Sequence, residues 1–333
     1  HHQLTPDDQF VMARGNRYSS DGEWFTYAAA TKGDGSLLER SRVYIARADG
    51  TDARTLAIGS EESRTFVKDW HPADRQLLVY DTATTTRCGV YDIQTETLTW
   101  FGTGDIQEKP VVWLPDGERF LAIRKAHITT TPIVYDCQTG QAHELAVGGS
   151  CSYAPTATDE LVIDAHHVLI PRSTPTIPTE VLSYDLQTDT TTTLLRTSDG
   201  AVEPSRLVDP EYITYESTDG RSIGALLYRT SKQPSPAIVL VHGGRHGRAS
   251  EDYHWPSQLL VDRGFTVLRP NYRGSSGRGR AFKQLQYGDL GGHDAMDVAA
   301  GGQWLRRQDL VDGDRIAVYG ASYGGYLTYV QMV

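Results

Sequence analysis

Residues Arg315 to Tyr326 read R-I-A-V-Y-G-A-S-Y-G-G-Y, and this stretch decides the fold of the C-terminal part of the chain. A short apolar strand runs into Gly-x-Ser-x-Gly-Gly and helix-forming residues follow, which predicts a serine on a tight turn between a strand and a helix. Gly320 and Gly324 flank Ser322 because a Cβ at either position would collide with the crossing strand and helix. The alternative interpretation is a glycine-rich turn whose serine caps the helix.

Upstream of this turn, from about residue 206, strands alternate with helices. A hairpin that starts at Tyr212 leads into the apolar run A-I-V-L-V from Ala237, which is typical of a strand buried on both faces. Helices are predicted over Tyr253 to Arg263 and over Asp294 to Gln308, with a strand from Phe265 between them. This alternation predicts a parallel sheet with helices on both faces, so residues 206–333 are assigned to an α/β-hydrolase domain.

The loop after the apolar strand reads H-G-G-R-H-G from His242 to Gly247. A serine nucleophile needs N–H groups directed at the developing oxyanion, and in this fold they come from the residue after the serine and from a glycine-rich loop. The candidates are the N–H groups of Tyr323 and Gly244, with Ser322 as the nucleophile. His242 precedes Ser322 in the chain, whereas the base of this fold follows the serine, so we expect His242 to be part of the loop structure.

The first 205 residues contain a repeat. One element is a strand that ends in a polar turn, and its copies begin at Val43, Val90, Val134 and Ser183, which are 47, 44 and 49 residues apart. The other is a turn that leads into a strand, with copies from Ser19, His71 and Leu114 and a weaker one from Ala154. A period near 45 residues with about four strands per unit predicts β-propeller blades of the TolB/WD-like type, here about four. Tandem β-sandwiches are the alternative. Trp70, Trp113 and the tyrosines of the Tyr-Asp pairs are interpreted as packing residues.

Composition excludes several classes of function. The net charge of −10 argues against a nucleic-acid partner and against binding to an anionic membrane. No apolar run approaches 18 residues, the length a membrane span requires. The three cysteines, Cys88, Cys137 and Cys151, lack metal-ligand spacing and predict reduced thiols in a cytoplasmic protein. No metal or other cofactor is expected. The sequence neither predicts nor excludes a homo-oligomer.

The motifs H-G-G, N-Y-R-G-S-x-G-x-G-R-x-F, G-D-L-G-G-x-D-x-x-D and G-A-S-Y-G-G-Y follow one another from His242 to Tyr326. This series resembles the prolyl oligopeptidase family, most closely its acylaminoacyl-peptidase branch. The resemblance covers the chain from about residue 210 and implies that Ser322 is the nucleophile, with Tyr323 and Gly244 as oxyanion donors. It also implies a propeller that restricts substrates to short peptides. The family usually has proline after H-G-G, whereas Arg245 stands here.

All eleven histidines precede Ser322, and eleven residues follow it. Because the triad order is serine, acid and histidine, we expect the chain to be a fragment that lacks the triad acid and base, with propeller blades also missing at its N-terminus. The chain alone should then be inactive, and the Arg315 strand should form a sheet edge. The predicted parent is a serine oligopeptidase. An esterase of the same fold and a non-catalytic propeller scaffold are the alternatives.

The arginines between Arg245 and Arg280 form a basic cluster in an acidic chain. Ion pairs with Asp252, Asp262 or Asp289 are the favoured interpretation, and binding of a substrate carboxylate or acyl carbonyl is the alternative. Asp294 and Asp297 are expected to act through helix capping and the helix dipole.

Overall fold

The computed structural model describes residues 3–12, 15–31, 41–59, 64–73, 75–82, 85–153, 159–198 and 203–332. Four antiparallel sheets follow one another along the first 196 residues, and each is built from one continuous stretch of chain. The weak repeat copy from Ala154 lies partly outside the described residues. The strands are β1 (Gln9–Val11), β2 (Arg17–Tyr18), β3 (Trp24–Thr31), β4 (Arg42–Arg47) and β5 (Arg54–Thr55) in the first sheet; β6 (Thr65–Trp70), β7 (Gln76–Asp81), β8 (Arg87–Asp92) and β9 (Thr97–Trp100) in the second; β10 (Gln107–Trp113), β11 (Arg119–Ala126), β12 (Thr129–Asp136) and β13 (Ala142–Glu144) in the third; and β14 (Ser150–Cys151), β15 (His167–Thr174), β16 (Ile177–Asp185) and β17 (Thr190–Arg196) in the fourth.

The repeated Tyr-Asp pair has one structural role in three of these sheets. The tyrosines Tyr91, Tyr135 and Tyr184 are buried, as predicted for packing residues. The aspartate that follows each of them accepts two backbone N–H groups of the next turn; Asp136, for example, accepts from the N–H groups of Gln138 and Thr139 at 2.9 and 2.7 Å. A carboxylate that closes the turn in this way fixes where the strand ends. In each of these sheets, the sequence repeat therefore places a buried tyrosine ring near the end of a strand and a turn closed by an aspartate directly after it.

Neighbouring sheets share apolar cores. Trp70 and Trp113 are buried as predicted, and Trp113 packs with Leu78 and Cys88 of the second sheet. Strand β6 contacts β3 and β4 of the first sheet, β10 contacts β6, β7 and β8 of the second, and β14 contacts β12 of the third. Each sheet thus buries one face against the sheet before it.

The C-terminal part is a mixed five-stranded sheet with helices. Its strands are β18 (Glu211–Glu216), β19 (Ser222–Tyr228), β20 (Ser235–Val241), β21 (Thr266–Asn271) and β22 (Val311–Gly320), and its helices are α1 (Trp255–Asp262), α2 (Gly279–Gln284), α3 (His293–Arg306) and α4 (Tyr323–Val330). Two 3₁₀ turns, Asp159–Leu161 and Pro204–Arg206, precede it. The strand order is β18-β19-β21-β20-β22.

The prediction of a parallel sheet is correct for only part of it. Strand β20 pairs in parallel with β21 and with β22, whereas β18, β19 and β21 pair antiparallel, because a two-strand hairpin enters the sheet first. Among the described strands β22 pairs with β20 alone, so the Arg315 strand forms a sheet edge, as predicted. The buried β20 places the H-G-G loop at the end of the sheet where β22 meets α4.

The turn between β11 and β12 contacts the C-terminal part directly. His127 donates its backbone N–H to Gly277 O at 2.7 Å, and Arg248 donates to His127 O and Thr129 O at 2.8 and 2.7 Å. A Cβ at Gly277 would lie 2.3 Å from His127 O, so glycine is required at this contact. The third antiparallel sheet is therefore attached to the loops that follow β20 and β21.

Candidate active site

Ser322 lies between β22 and α4 with a backbone conformation that non-glycine residues rarely adopt. Its φ is 57° and its ψ is −124°. The serine is exposed, and its side chain makes no capping hydrogen bond to α4, so the interpretation of Ser322 as a helix cap is wrong. Strain of this kind persists where the surrounding structure holds it in place, and it is found at active-site turns.

Two glycines hold this turn, as the sequence predicts. A Cβ at Gly320 would lie 2.5 Å from the backbone of Gly324 and 2.9 Å from Val241 O. A Cβ at Gly324 would lie 2.3 Å from Val241 O. Strand β22 and helix α4 thus cross each other and β20 at distances that exclude any side chain at these two positions.

The H-G-G loop packs against the serine turn. A Cβ at Gly243 would lie 2.8 Å from Ala321 O and 3.4 Å from Ser322 Cβ, which makes Gly243 a direct neighbour of the candidate nucleophile. Gly244 has a φ of +67°, in the region that favours glycine. Tyr323 is the first residue of α4, so its N–H is among the first-turn amides that have no partner within the helix. The loop and the helix start therefore meet at Ser322.

His242 is held inside the loop. Its Nε2 lies 2.9 Å from Ser275 Oγ, its ring stacks on Tyr272 with centroids 4.3 Å apart, and the Tyr272 hydroxyl donates to His242 O at 2.9 Å. Burial lowers the pKa of His242 to about 4. The contacts and the lowered pKa of His242 both indicate a structural imidazole that stays neutral near pH 7. This role agrees with the expectation from its place before Ser322.

Asp294 lies in the first turn of α3, in agreement with the capping and dipole interpretation, and its carboxylate also belongs to the site. Its buried carboxylate accepts hydrogen bonds from the Tyr323 hydroxyl at 2.5 Å, from Gln286 Nε2 at 2.7 Å and from the N–H of Gly291 at 2.9 Å. Burial, and then the hydrogen bond to Asp294, raise the pKa of the Tyr323 phenol. The carboxylate therefore anchors the side chain of the residue whose N–H is a candidate oxyanion donor.

Asp297 also has a role other than capping. Arg273 binds it through Nε at 2.9 Å and Nη2 at 2.7 Å, and binds Asp219 through Nη1 and Nη2 at 3.0 Å each. Ser217 donates its hydroxyl to Asp297 at 2.6 Å. Because Arg273 and Asp297 are both buried, this paired network satisfies charges that would otherwise be costly in the interior.

Among the described residues, one of the three acids predicted to pair with the basic cluster does so. Asp252 lies 4.0 Å from Arg269, but Asp262 pairs with Arg206, outside the cluster, and Asp289 pairs with His293. The acids that bind the cluster most closely are Asp219 and Asp297, which the folding of β18 and α3 brings to Arg273.

Across the residues that the structure describes, no group of three or more His, Cys, Asp or Glu side chains could hold a metal ion. The three cysteines are unpaired. Within the same ranges no helix is both long and apolar enough to span a membrane.

A strained serine between a parallel strand and a helix, with a glycine-rich loop against it, is the arrangement of the α/β-hydrolases. Residues 251–333 match the model of the prolyl oligopeptidase family, which is the family that the motifs of this part of the chain resemble.

The chain is also similar to curated relatives and to a solved structure. The chain is 32% identical over 170 residues to the uncharacterized peptidase YuxL of Bacillus subtilis, covering 50% of the chain and 26% of that protein. It is 28% identical over 218 residues to acylamino-acid-releasing enzyme 1 of Oryza sativa, covering 64% of the chain and 24% of that enzyme. A crystal structure of puromycin hydrolase superposes on 97% of the chain and 50% of its own length, with a TM-score of 0.79 and 24% identity. The chain thus spans about a quarter of these relatives and half of that structure.

Proposed function

We propose that this chain carries the nucleophile and oxyanion hole of a serine peptidase that acts on short peptides. The conformation of Ser322 is the observation that supports this most directly, because φ of 57° at an exposed serine is maintained by two glycines that admit no side chain. The match of residues 251–333 to the prolyl oligopeptidase family supports the peptidase reaction over other acyl transfers.

In the proposed reaction, Ser322 Oγ attacks the scissile carbonyl while a histidine base accepts its proton. The carbonyl oxygen becomes an oxyanion that the N–H groups of Tyr323 and Gly244 stabilise. The amine leaves with a proton from the histidine, and water then hydrolyses the acyl-enzyme. We assign the base to none of the chain's histidines, because all of them precede Ser322 and the ring of His242, in the loop beside the serine, is bound to Ser275.

We further propose that the four antiparallel sheets are propeller blades that admit only short peptides to Ser322. Support comes from the β11–β12 turn, which is bound to the loops that carry Gly277 and Arg248. Blades attached this close to the H-G-G loop would exclude a folded substrate. A short peptide could enter, because it loses little conformational entropy on binding. The unpaired cysteines support a reducing, cytoplasmic location.

The nucleophile assignment is tested on the predicted parent protein, which supplies the triad acid and base, with a fluorophosphonate probe and a short acylated peptide. Ser322→Ala should abolish labelling and lower kcat by about 10³–10⁶ with KM nearly unchanged. Ser205→Ala, at an exposed serine outside the site, is the matched control and should label like the wild type. A kcat loss of less than about tenfold in Ser322→Ala would exclude Ser322 as the nucleophile.

A further inference from the structure

Arg245 is a cation within the H-G-G loop, where it has no carboxylate partner. It is exposed and directly follows Gly244, the candidate oxyanion donor. Unlike Arg273, it forms no ion pair with any carboxylate in the described part of the chain. Its guanidinium lies over the ring of Tyr287, with 5.5 Å from the guanidinium carbon to the ring centroid.

The distance from Arg245 to the reacting atoms is bounded by the chain itself. Gly243 lies against Ser322, with a built Cβ 3.4 Å from Ser322 Cβ. Arg245 is two residues further on, so its Cα is at most about 7.6 Å from the Cα of Gly243. An extended peptide spans about 7 Å in two residues, so a group one or two residues from the scissile bond lies at a comparable distance.

The ring of Tyr287 connects Arg245 to the residues around Asp294. The ring contacts both Arg245 and His246, and the preceding residue, Gln286, donates to Asp294, which binds Tyr323. Arg245 is therefore connected to the serine turn in two ways. The chain links it to Gly244, and its contact with Tyr287 links it to Gln286, Asp294 and Tyr323.

The charge of Arg245 acts on a second cation. Burial, and then the charge of Arg245, lower the pKa of Lys283, whereas the charge of Asp81 raises it. An anionic group on a bound substrate would meet the exposed guanidinium of Arg245 as a donor.

We propose that Arg245 selects peptides that carry a carboxylate within two residues of the scissile bond. The carboxylate is either the C-terminus of a short peptide or the side chain of an aspartate or glutamate. The guanidinium donates to it while the carbonyl lies against the N–H of Gly244. This inference rests on the proposed peptidase function and names the substrate class of that site.

The test is a peptide series with one cleavage site and three versions of the flanking group: a free C-terminal carboxylate one residue beyond the bond, the same peptide amidated, and an amidated peptide with glutamate at that residue. We expect the wild-type kcat/KM to be about five- to tenfold higher for a carboxylate peptide than for the amidated one. Arg245→Gln should remove this preference and leave kcat/KM of the amidated peptide within twofold, and Arg245→Lys should keep part of it.

The two carboxylate peptides distinguish the source of the anion, and a preference for either supports the proposal. Equal carboxylate-to-amide ratios in the wild type and Arg245→Gln overturn it, while Ser322-dependent cleavage of the amidated peptide then leaves the peptidase function standing. Failure of every peptide to be cleaved in a Ser322-dependent way overturns the peptidase function and this inference with it. Because Arg245 is exposed, its variants should unfold at the wild-type temperature, which circular dichroism checks.

Discussion

The Tyr323 hydroxyl donates a hydrogen bond of 2.5 Å to Asp294 Oδ2, and the two residues are 29 positions apart in the chain. Tyr323 is the first residue of α4, beside Ser322, so its phenol connects the proposed oxyanion donor to the start of α3. The direction of a backbone N–H is set by the backbone that carries it. The hydrogen bond of the Tyr323 hydroxyl to Asp294 constrains this part of the backbone.

Tyr323→Phe should therefore lower both activity and stability. Asp294 would lose one of its donors in a buried site, which costs about 1–3 kcal/mol in the free energy of unfolding. We expect kcat to fall about tenfold with KM within twofold, less than the 10²–10³ seen when an oxyanion donor is removed outright. Tyr329→Phe, on the same helix but 71% exposed, is the control and should leave both quantities unchanged. Loss of stability without loss of kcat would contradict the positioning role.

Gly324→Ala should disrupt the serine turn, because the added Cβ would lie 2.3 Å from Val241 O. We expect a loss of about 1–3 kcal/mol in the free energy of unfolding by urea, together with slower fluorophosphonate labelling. Gly302→Ala in α3 is a matched change in a helix, where the nearest atom would be 3.8 Å away. That variant should gain up to about 1 kcal/mol from helix propensity. Similar stability of the two variants would show that the turn tolerates a side chain.

Asp219 should make folding sensitive to acid. Its hydrogen bonds to Arg273 lower the pKa of the carboxyl to about 2, below the ordinary value of 3.8. A depressed folded-state pKa contributes stability above the unfolded value and loses it as the pH falls. The melting temperature of the wild type should thus drop between about pH 4 and pH 2 more steeply than that of Asp219→Asn. Asp314→Asn controls for the removal of one surface charge. Parallel curves for the wild type and Asp219→Asn would refute this role for the ion pair.

Arg248→Gln should weaken the attachment of the third antiparallel sheet to the C-terminal part. The guanidinium donates to His127 O, Thr129 O and Thr130 Oγ1, and hydrogen bonds from a charged group contribute about 1.5 kcal/mol or more each. We expect at least about tenfold faster hydrolysis of casein, with kcat/KM of a short peptide within twofold. Arg229→Gln, which breaks an exposed pair with Glu211, is the control. If the wild type already digests casein as fast as peptides, the sheets do not select by size.

The serine turn could be predicted from the sequence because its constraints are local. Gly320, Ser322 and Gly324 lie within five residues, and the shape of the turn fixes what each must be. The paired strands of the repeat are predictable for the same reason, since β6 to β9 pair in chain order. Helix α2 was not predicted, because its six residues, G-R-A-F-K-Q, follow a glycine-rich stretch that resembles a loop.

The partners of buried charges could not be predicted in this way. Asp294 and Asp297 stand near the start of α3, where capping and dipole effects explain acids well enough. What decides their roles is the packing of α3 against β21 and α4, which brings Arg273 and Tyr323 to them across 24 and 29 residues. The order β21-β20-β22 likewise results from a crossover that no local pattern encodes.

The backbone conformation of Ser322 has a consequence for the thermal stability of this protein. A residue with φ of 57° and ψ of −124° holds conformational energy that glycine would release, by about 1–3 kcal/mol for such outliers. Ser322→Gly should therefore fold more stably than the wild type while lacking the nucleophile that we propose. A selection for thermal resistance alone would favour the loss of this hydroxyl, so the proposed activity and heat tolerance compete at one residue.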